Sequence, residues 1–77
     1  MENDQMLYNV GDLVKLSTYA VESYGHLRAF QDYVRQTGIV VSDLQEIRGV
    51  GAGYRVRFPC TETVFFVADE LELVRSI

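Results

Sequence analysis

His26 and Cys60 are the two residues best suited to nucleophilic or acid–base chemistry in this 77-residue chain, and each type occurs once. A Ser-His or Cys-His pair would have to use His26, and a metal site built from several histidines or cysteines is excluded. Activation of a Cys60 thiolate needs a nearby cation or a helix N-terminus, and Arg57 is the only candidate in sequence. We therefore predict that the chain is not an enzyme, that His26 is an exposed bystander and that Cys60 is structural or incidental.

Asp69, Glu70 and Glu72 form an acidic group of the kind that can bind a divalent ion or act as acid and base. Adjacent side chains on a tight turn diverge, and Glu72 alternates outward from Leu71 and Leu73. The spacing favours a solvated acidic face over a metal site or a pair of catalytic carboxylates.

The run RGVGAG at 48–53 has the glycine content of a phosphate-binding loop. It precedes the strand-like segment YRVRF instead of a helix whose N-terminus could hold an anion. We read the run as a hairpin turn. The sequence predicts no cofactor, no metal and no small-molecule substrate.

The charge balance of 7 Lys+Arg against 11 Asp+Glu gives a net charge of −4. An acidic chain repels phosphate backbones and anionic membranes at long range, so non-specific nucleic-acid binding is disfavoured. No stretch approaches the ~18 apolar residues of a membrane helix, and the N-terminus lacks the basic and apolar regions of a signal peptide. We expect a cytoplasmic protein without membrane contact.

Short runs of alternating apolar and polar residues dominate the chain after Gly11. They predict an all-β fold of five strands rolled into a small barrel, as a single domain over residues 6–77 behind a disordered tail at 1–5. The expected strands are Leu13–Tyr19, a run from Gly38 to about Ile47, YRVRF, TVFFVA and LELVR, with ADEL as a tight helical turn before the last one.

A segment with helical spacing interrupts this pattern between Thr18 and Gln36. Leu27, Phe30 and Val34 share one helical face, which predicts a short helix starting no earlier than about His26, with Gly38 as its left-handed stop. The alternative is a long irregular loop over residues 26–36 that the same apolar side chains hold in place. We expect these three apolar side chains to point inward.

The order GDLVKL, long insertion, GIVV, glycine loop, YRVRF and VFFVADELELV resembles the Src-homology-3-like small barrels over about residues 10–74. It is similar in detail to members that include the E subunit of photosystem I (reaction-centre subunit IV) and the variable chain of ferredoxin-thioredoxin reductase, and to short uncharacterised phage proteins. The resemblance implies an accessory or docking subunit whose barrel binds no cofactor. Polyproline recognition is not expected, because the chain has no Trp and no ALYDY-type segment.

Two groups of residues are candidates for binding a partner. One is the aromatic insertion, where Tyr side chains suit an interface because they bury a large ring and keep a hydroxyl in water. The other is a basic strand face, which Lys15 and Arg48 could extend and beside which Tyr19 and Tyr54 could offer stacking surfaces. The predicted partner-binding residues are Tyr19, Tyr24, Arg28, Tyr33, Arg55 and Arg57.

These groups lead to two hypotheses of different classes. The favoured one is a non-enzymatic protein-interaction or accessory module that contacts a protein partner or a second copy of the chain. The alternative is a nucleic-acid-binding barrel of KOW or Tudor type, which needs salt-sensitive contacts from Arg55 and Arg57.

Overall fold

The computed structural model describes residues 8–59 and 62–77, so the predicted tail at 1–5 and Cys60 lie outside the described residues. The strands in this part of the chain are β1 (Leu13–Leu16), β2 (Gly38–Val40), β3 (Gln45–Ile47), β4 (Gly51–Arg57), β5 (Thr63–Val67) and β6 (Leu71–Arg75). The helical elements are α1 (Thr18–Tyr24), α2 (Arg28–Val34) and a 3₁₀ turn (Ala68–Glu70).

All strand pairs are antiparallel, and β4 is the central strand of the sheet. One edge of β4 pairs with β5, and its other edge pairs with both β3 and β2. The sheet continues from β2 through β1 to β6. Within the described ranges β5 and β6 do not pair, so the sheet is open. The mainly β prediction is confirmed, whereas a closed barrel is not shown.

The segment predicted as one strand from Gly38 to Ile47 is divided into β2 and β3. Ser42 lies in the break, where its hydroxyl donates a hydrogen bond to the carbonyl oxygen of Asp43 (2.9 Å) and accepts one from the backbone N–H of Arg55 (3.0 Å). A Ser side chain that bonds to nearby backbone competes with regular ladder pairing. The described residues therefore form a sheet of six strands, not the predicted five.

The first strand ends three residues earlier than predicted, because Ser17 caps a helix. Its Oγ accepts a hydrogen bond from the N–H of Ala20 (3.2 Å), and its hydroxyl donates to the carbonyl oxygen of Asp69 (2.8 Å). An N-cap Ser satisfies one of the free N–H groups of a helix start. Tyr19 consequently lies on α1 and not on β1.

The predicted helix after His26 is confirmed as α2, but two details of the prediction were wrong. Leu27 precedes the helix as its N-cap and is 43% exposed, whereas Phe30 and Val34 are partly buried against the core as expected. Gly38 is not a left-handed stop; it begins β2, where a Cβ would overlap the side chain of Val56.

The core lies on the inner face of the sheet and under the two helices. Tyr54, Val56 and Phe58 point into it and alternate with exposed Arg55 and Arg57, as the sequence predicts for YRVRF. The other buried apolar residues are Val14, Leu16, Ala20, Val40, Phe66 and Leu71.

Leu73 does not join this core, against the prediction that it points inward. It is 48% exposed because β6 is an end strand, flanked on one side by β1, and a register shift between Leu13 and Val14 interrupts the pairing beside it.

The glycine run forms a tight hairpin, as predicted, with positive φ at Gly49 and Gly51. No helix in the described part of the chain is long and apolar enough to cross a membrane.

Candidate interaction surfaces

The predicted partner-binding residues fall on opposite faces of β4. Tyr33, from the helical insertion, contacts Phe58 and Phe66 on the inner face, whereas Arg55 and Arg57 project from the outer face. Antiparallel strands place alternate side chains on opposite sides, so these two groups cannot form one continuous contact surface. The structure divides the predicted site into two.

The insertion carries a continuous series of aromatic contacts. The Tyr24 ring stacks on Phe30 with centroids 5.4 Å apart, and Phe30 meets Tyr33 edge-on at 6.3 Å. Tyr33 then lies 5.0 Å from Phe58. Ring pairs at these separations are favourable beyond the area that they bury. Most of the aromatic residues of the insertion therefore pack it onto the sheet.

Tyr24 of α1 also interacts with Glu70 of the 3₁₀ turn. The pKa of Tyr24 is raised to about 12, first because its side chain is hydrogen-bonded to the Glu70 carboxylate, and then because of a hydrogen bond with Tyr19 and the negative charge of Glu70. A hydrogen bond that the neutral phenol donates disfavours ionisation. Glu70 accepts a further hydrogen bond from the N–H of Val67 (3.0 Å).

Tyr19 and Arg28 are the members of the predicted site on the insertion that remain exposed. Tyr19 is 56% exposed, and its ring meets Tyr24 edge-on with centroids 6.4 Å apart. Arg28 begins α2 on the outside of the insertion. Two exposed side chains on different helices form a small surface. The outer face of the sheet has more exposed side chains.

A cross-strand row runs over the outer face of the sheet. Arg75 of β6 is paired with Leu13 of β1, Leu13 with Ile39 of β2, Ile39 with Arg57 of β4, and Arg57 with Thr63 of β5. Directly paired residues share one face of an antiparallel sheet. The register shift between Leu13 and Val14 gives β6 one extra residue, which brings Arg75 to the face of Leu13 although Leu73 is opposite the buried Val14. We call these five residues the arginine row: two guanidinium groups separated by two apolar side chains.

Arg55 extends the arginine row by one step along β4. It is paired with Phe65, and its Nε donates a hydrogen bond to Oε1 of Gln45 (3.1 Å). Val41, which is 38% exposed, lies beside it, since the N–H of Val41 donates to the carbonyl oxygen of Arg55 (2.9 Å). The outer face thus combines basic and apolar side chains over four strands.

The guanidinium groups of Arg55, Arg57 and Arg75 have no carboxylate partner among the described residues. The ion pair that the structure does show there joins Lys15 to Glu72 (3.7 Å). Three of the seven basic residues of a chain with net charge −4 therefore lie on one face without an ion pair to any carboxylate of the described residues.

Of the two residues predicted to extend this basic face, Lys15 lies on it but is paired with a carboxylate, and Arg48 does not lie on it. Lys15 is directly opposite Glu72, and Arg48 is in the turn between β3 and β4. Arg75 is the additional cation, and it was missed because its place depends on the pairing of the last strand with the first. Leu13 and Ile39 were missed for the same reason.

Tyr54 offers no stacking surface, contrary to the expectation of the nucleic-acid hypothesis. Its side chain is fully buried, its hydroxyl accepts a hydrogen bond from the N–H of Tyr8 (3.0 Å), and its ring meets the Tyr8 ring edge-on. Sequence-tolerant binding of single strands relies on exposed aromatic rings beside the cations. The outer face instead has one aromatic residue near the arginines, the partly buried Phe65.

Two shallow depressions flank Leu13 on the arginine row. The larger, of about 540 Å³, includes Ile39 and Arg57 and is bounded by Thr37, Phe58 and Pro59. The smaller, of about 360 Å³, includes Arg75 and is bounded by Gly11, Ser76 and Ile77. Each depression contains one arginine, and Leu13 is the wall between them.

The acidic group of the sequence has structural roles at the junction of α1 and β6. Besides its contact with Lys15, Glu72 accepts a hydrogen bond from the N–H of Thr18 (3.4 Å). Over the described ranges no three His, Cys, Asp or Glu side chains come together in an arrangement that could hold a metal ion. His26 is exposed in the turn between the helices.

Comparison with protein-family models, with curated proteins and with solved structures found no match to this chain.

Proposed function

We propose that this chain is a non-enzymatic protein-interaction module of the Src-homology-3-like small-barrel type, with the arginine row as its docking surface. The observation that carries the proposal is the set of guanidinium groups without a carboxylate neighbour in the described residues, set around exposed apolar side chains. Arg is enriched at protein interfaces because its planar donors pair with carboxylates while its stem contributes apolar area.

The barrel assignment is supported by the order and pairing of the elements. β2 and β3 lie along the same edge of β4 like the two halves of one bent strand, and the last strand returns from a 3₁₀ turn to pair with the first. In the barrel that we propose, the helical insertion covers one end of the core and leaves the outer face free. The docking surface would then lie on the face that the insertion does not cover.

A protein partner is favoured over nucleic acid for two reasons. Apart from Lys15, which is paired with Glu72, the outer face has three cations on a chain of net charge −4, which is few for a surface that must neutralise several phosphates. Its arginines are interleaved with Leu13, Ile39 and Val41 instead of with exposed aromatic rings. Apolar area between charged groups suits a folded or extended protein segment.

Affinity capture with charge-matched variants tests the proposal. Arg57→Glu and Arg48→Glu make the same change in charge, one on the arginine row and one in the β3–β4 turn. We expect the wild type and Arg48→Glu to retain a protein that Arg57→Glu does not retain. The purified protein should then bind the wild-type chain in titration calorimetry.

Other capture results would point to a different partner or contradict the proposal. Retention that disappears after nuclease treatment indicates the KOW or Tudor type of function. Retention that Arg57→Glu leaves unchanged overturns the docking surface. A complex of two copies of this chain that Arg57→Glu dissociates, seen by light scattering, identifies self-association as the interaction. A monomer that retains nothing contradicts the proposed function.

A further inference from the structure

We infer that the arginine row binds an extended acidic peptide segment in which two carboxylates lie four residues apart with an apolar residue midway between them. This inference rests on the proposed function and names the chemistry of its partner. It follows from the spacing of the row, from its charge and from the two depressions beside Leu13.

The spacing comes from the strand order. Arg57 and Arg75 are separated by three steps across the sheet, through Ile39 and Leu13. Neighbouring strands are ~4.8 Å apart, so the two arginines stand about 14 Å apart along the row. An extended peptide advances ~3.3 Å per residue, so the side chains of residues i and i+4 are about 13 Å apart and share one face.

The midpoint of the row is apolar. Leu13 is partly buried and Ile39 is 36% exposed, and both lie between the two arginines. In an extended segment residue i+2 points to the same side as residues i and i+4. An aliphatic side chain at that position would rest on Leu13 and Ile39, where it removes apolar surface from water on both partners.

Each of the two arginines of the row borders a depression. The depression beside Ile39 has Arg57 at its margin, and the depression beyond Leu13 has Arg75. A carboxylate placed over either one can accept two parallel hydrogen bonds from the guanidinium fork. The chain's own carboxylates do not occupy these positions in the described residues, since the acidic side chain paired across from β1 is Glu72, next to Lys15.

A peptide of the sequence Gly-Ser-Glu-Ala-Ile-Ala-Glu-Ser-Gly is the probe. Titration into the isotope-labelled chain should shift the amide signals of Leu13, Ile39, Arg57 and Arg75, and binding should weaken as salt is raised. We expect Arg57→Glu to lower the affinity at least ~10-fold and Arg48→Glu to change it less than ~2-fold. Dispersed amide spectra of both variants establish that they are folded.

Three further peptides make the test specific. Replacing both Glu residues with Lys should abolish binding, replacing Ile with Ser should weaken it several-fold, and moving the second Glu to position i+3 should weaken it because that side chain faces away from the row. Equal binding of the acidic and lysine peptides overturns the inference. Tighter binding of a single-stranded oligonucleotide to the same amides overturns it in favour of nucleic acid.

Failure of this inference is distinguishable from failure of the proposed function. If the peptide does not bind while a captured protein still requires Arg57, the interaction module stands and the acidic motif is wrong. If neither the peptide nor any protein depends on Arg57, both proposals are wrong.

Discussion

The ring of Tyr33, a residue of the helical insertion, lies 5.0 Å from the ring of Phe58 on the inner face of β4, measured between centroids. The same Tyr33 ring meets Phe66 of β5 edge-on at 5.9 Å. The insertion is therefore part of the core and not an appendage to the sheet. Its other aromatic residues extend this contact outward to Tyr19.

Replacement of Tyr33 with Ala should destabilise the whole fold. The substitution removes the ring that packs on both Phe58 and Phe66, and we expect a loss of about 2–3 kcal/mol in the free energy of unfolding, measured in urea. Tyr33→Phe keeps the ring, and Leu27→Ala truncates an exposed side chain of the same insertion, so both should cost less than ~1 kcal/mol. Equal losses for Tyr33→Ala and Leu27→Ala would show that the insertion is not part of the cooperative core.

We expect the Tyr24 side chain to contribute less to the stability of the fold at high pH. Because the folded state raises its pKa from 10.0 to about 12, mainly through the hydrogen bond to Glu70, the neutral phenol is stabilised by folding. That stabilisation is fully present below the unfolded-state pKa and is lost as the pH rises through the folded-state value. The advantage of the wild type over Tyr24→Phe should therefore be constant below pH 10.0 and shrink between pH 10.0 and about 12.

Urea unfolding of the two proteins across that range provides the measurement. The tyrosinate absorbance of Glu70→Gln is the complementary test, since removal of the carboxylate should bring the pKa of Tyr24 back toward its ordinary value. A stability difference that does not change with pH would mean that the hydrogen bond to Glu70 does not form in solution.

Asp12 ties the start of β1 to the end of the chain. Its side chain is 3% exposed, and its two oxygens accept hydrogen bonds from the N–H of Asn9 (2.9 Å) and the N–H of Ile77 (3.3 Å). Asp12→Ala removes both acceptors, so we expect a loss of about 2–3 kcal/mol. Asp43→Ala removes an exposed carboxylate from the β2–β3 connection and should change the stability by less than ~0.5 kcal/mol. Thermal unfolding of both variants at one pH compares the two sites.

Gly53 marks a close approach of β4 and β5. A Cβ at this position would overlap the carbonyl oxygen of Phe66 and the Cα of Val67, both in the backbone of β5, which cannot yield as a flexible side chain would. We expect Gly53→Ala to cost at least ~3 kcal/mol, a large part of the stability of so small a chain.

Gly49→Ala is the matched comparison for Gly53→Ala. Gly49 has a φ of 81° and open space around its Cα, so the substitution meets backbone strain without a clash and should cost about 1–2 kcal/mol. Circular dichroism melting curves of the two variants separate the effects. A milder effect at Gly53 than at Gly49 would contradict the close strand approach.

Local pattern in the sequence determined most of the strands and their faces. Alternation in YRVRF set Tyr54, Val56 and Phe58 inward and Arg55 and Arg57 outward, because successive side chains of a strand must point to opposite sides. The helical spacing of Phe30 and Val34 located α2, because residues four apart lie on the same face of a helix. Ser17 could have revealed α1, since a Ser followed by a helical apolar pattern is a capping signal that depends on neighbouring residues alone.

The candidate site could not be predicted in full, because it depends on which strands are neighbours. Arg75 and Arg57 are 18 positions apart in the chain and belong to one row only because β6 pairs with β1 and β2 pairs with β4. The same pairing separates Tyr33 from Arg57, placing one in the core and the other on the outer face. Residue type and spacing decided what each segment forms; long-range pairing, which no local pattern encodes, decided which side chains meet.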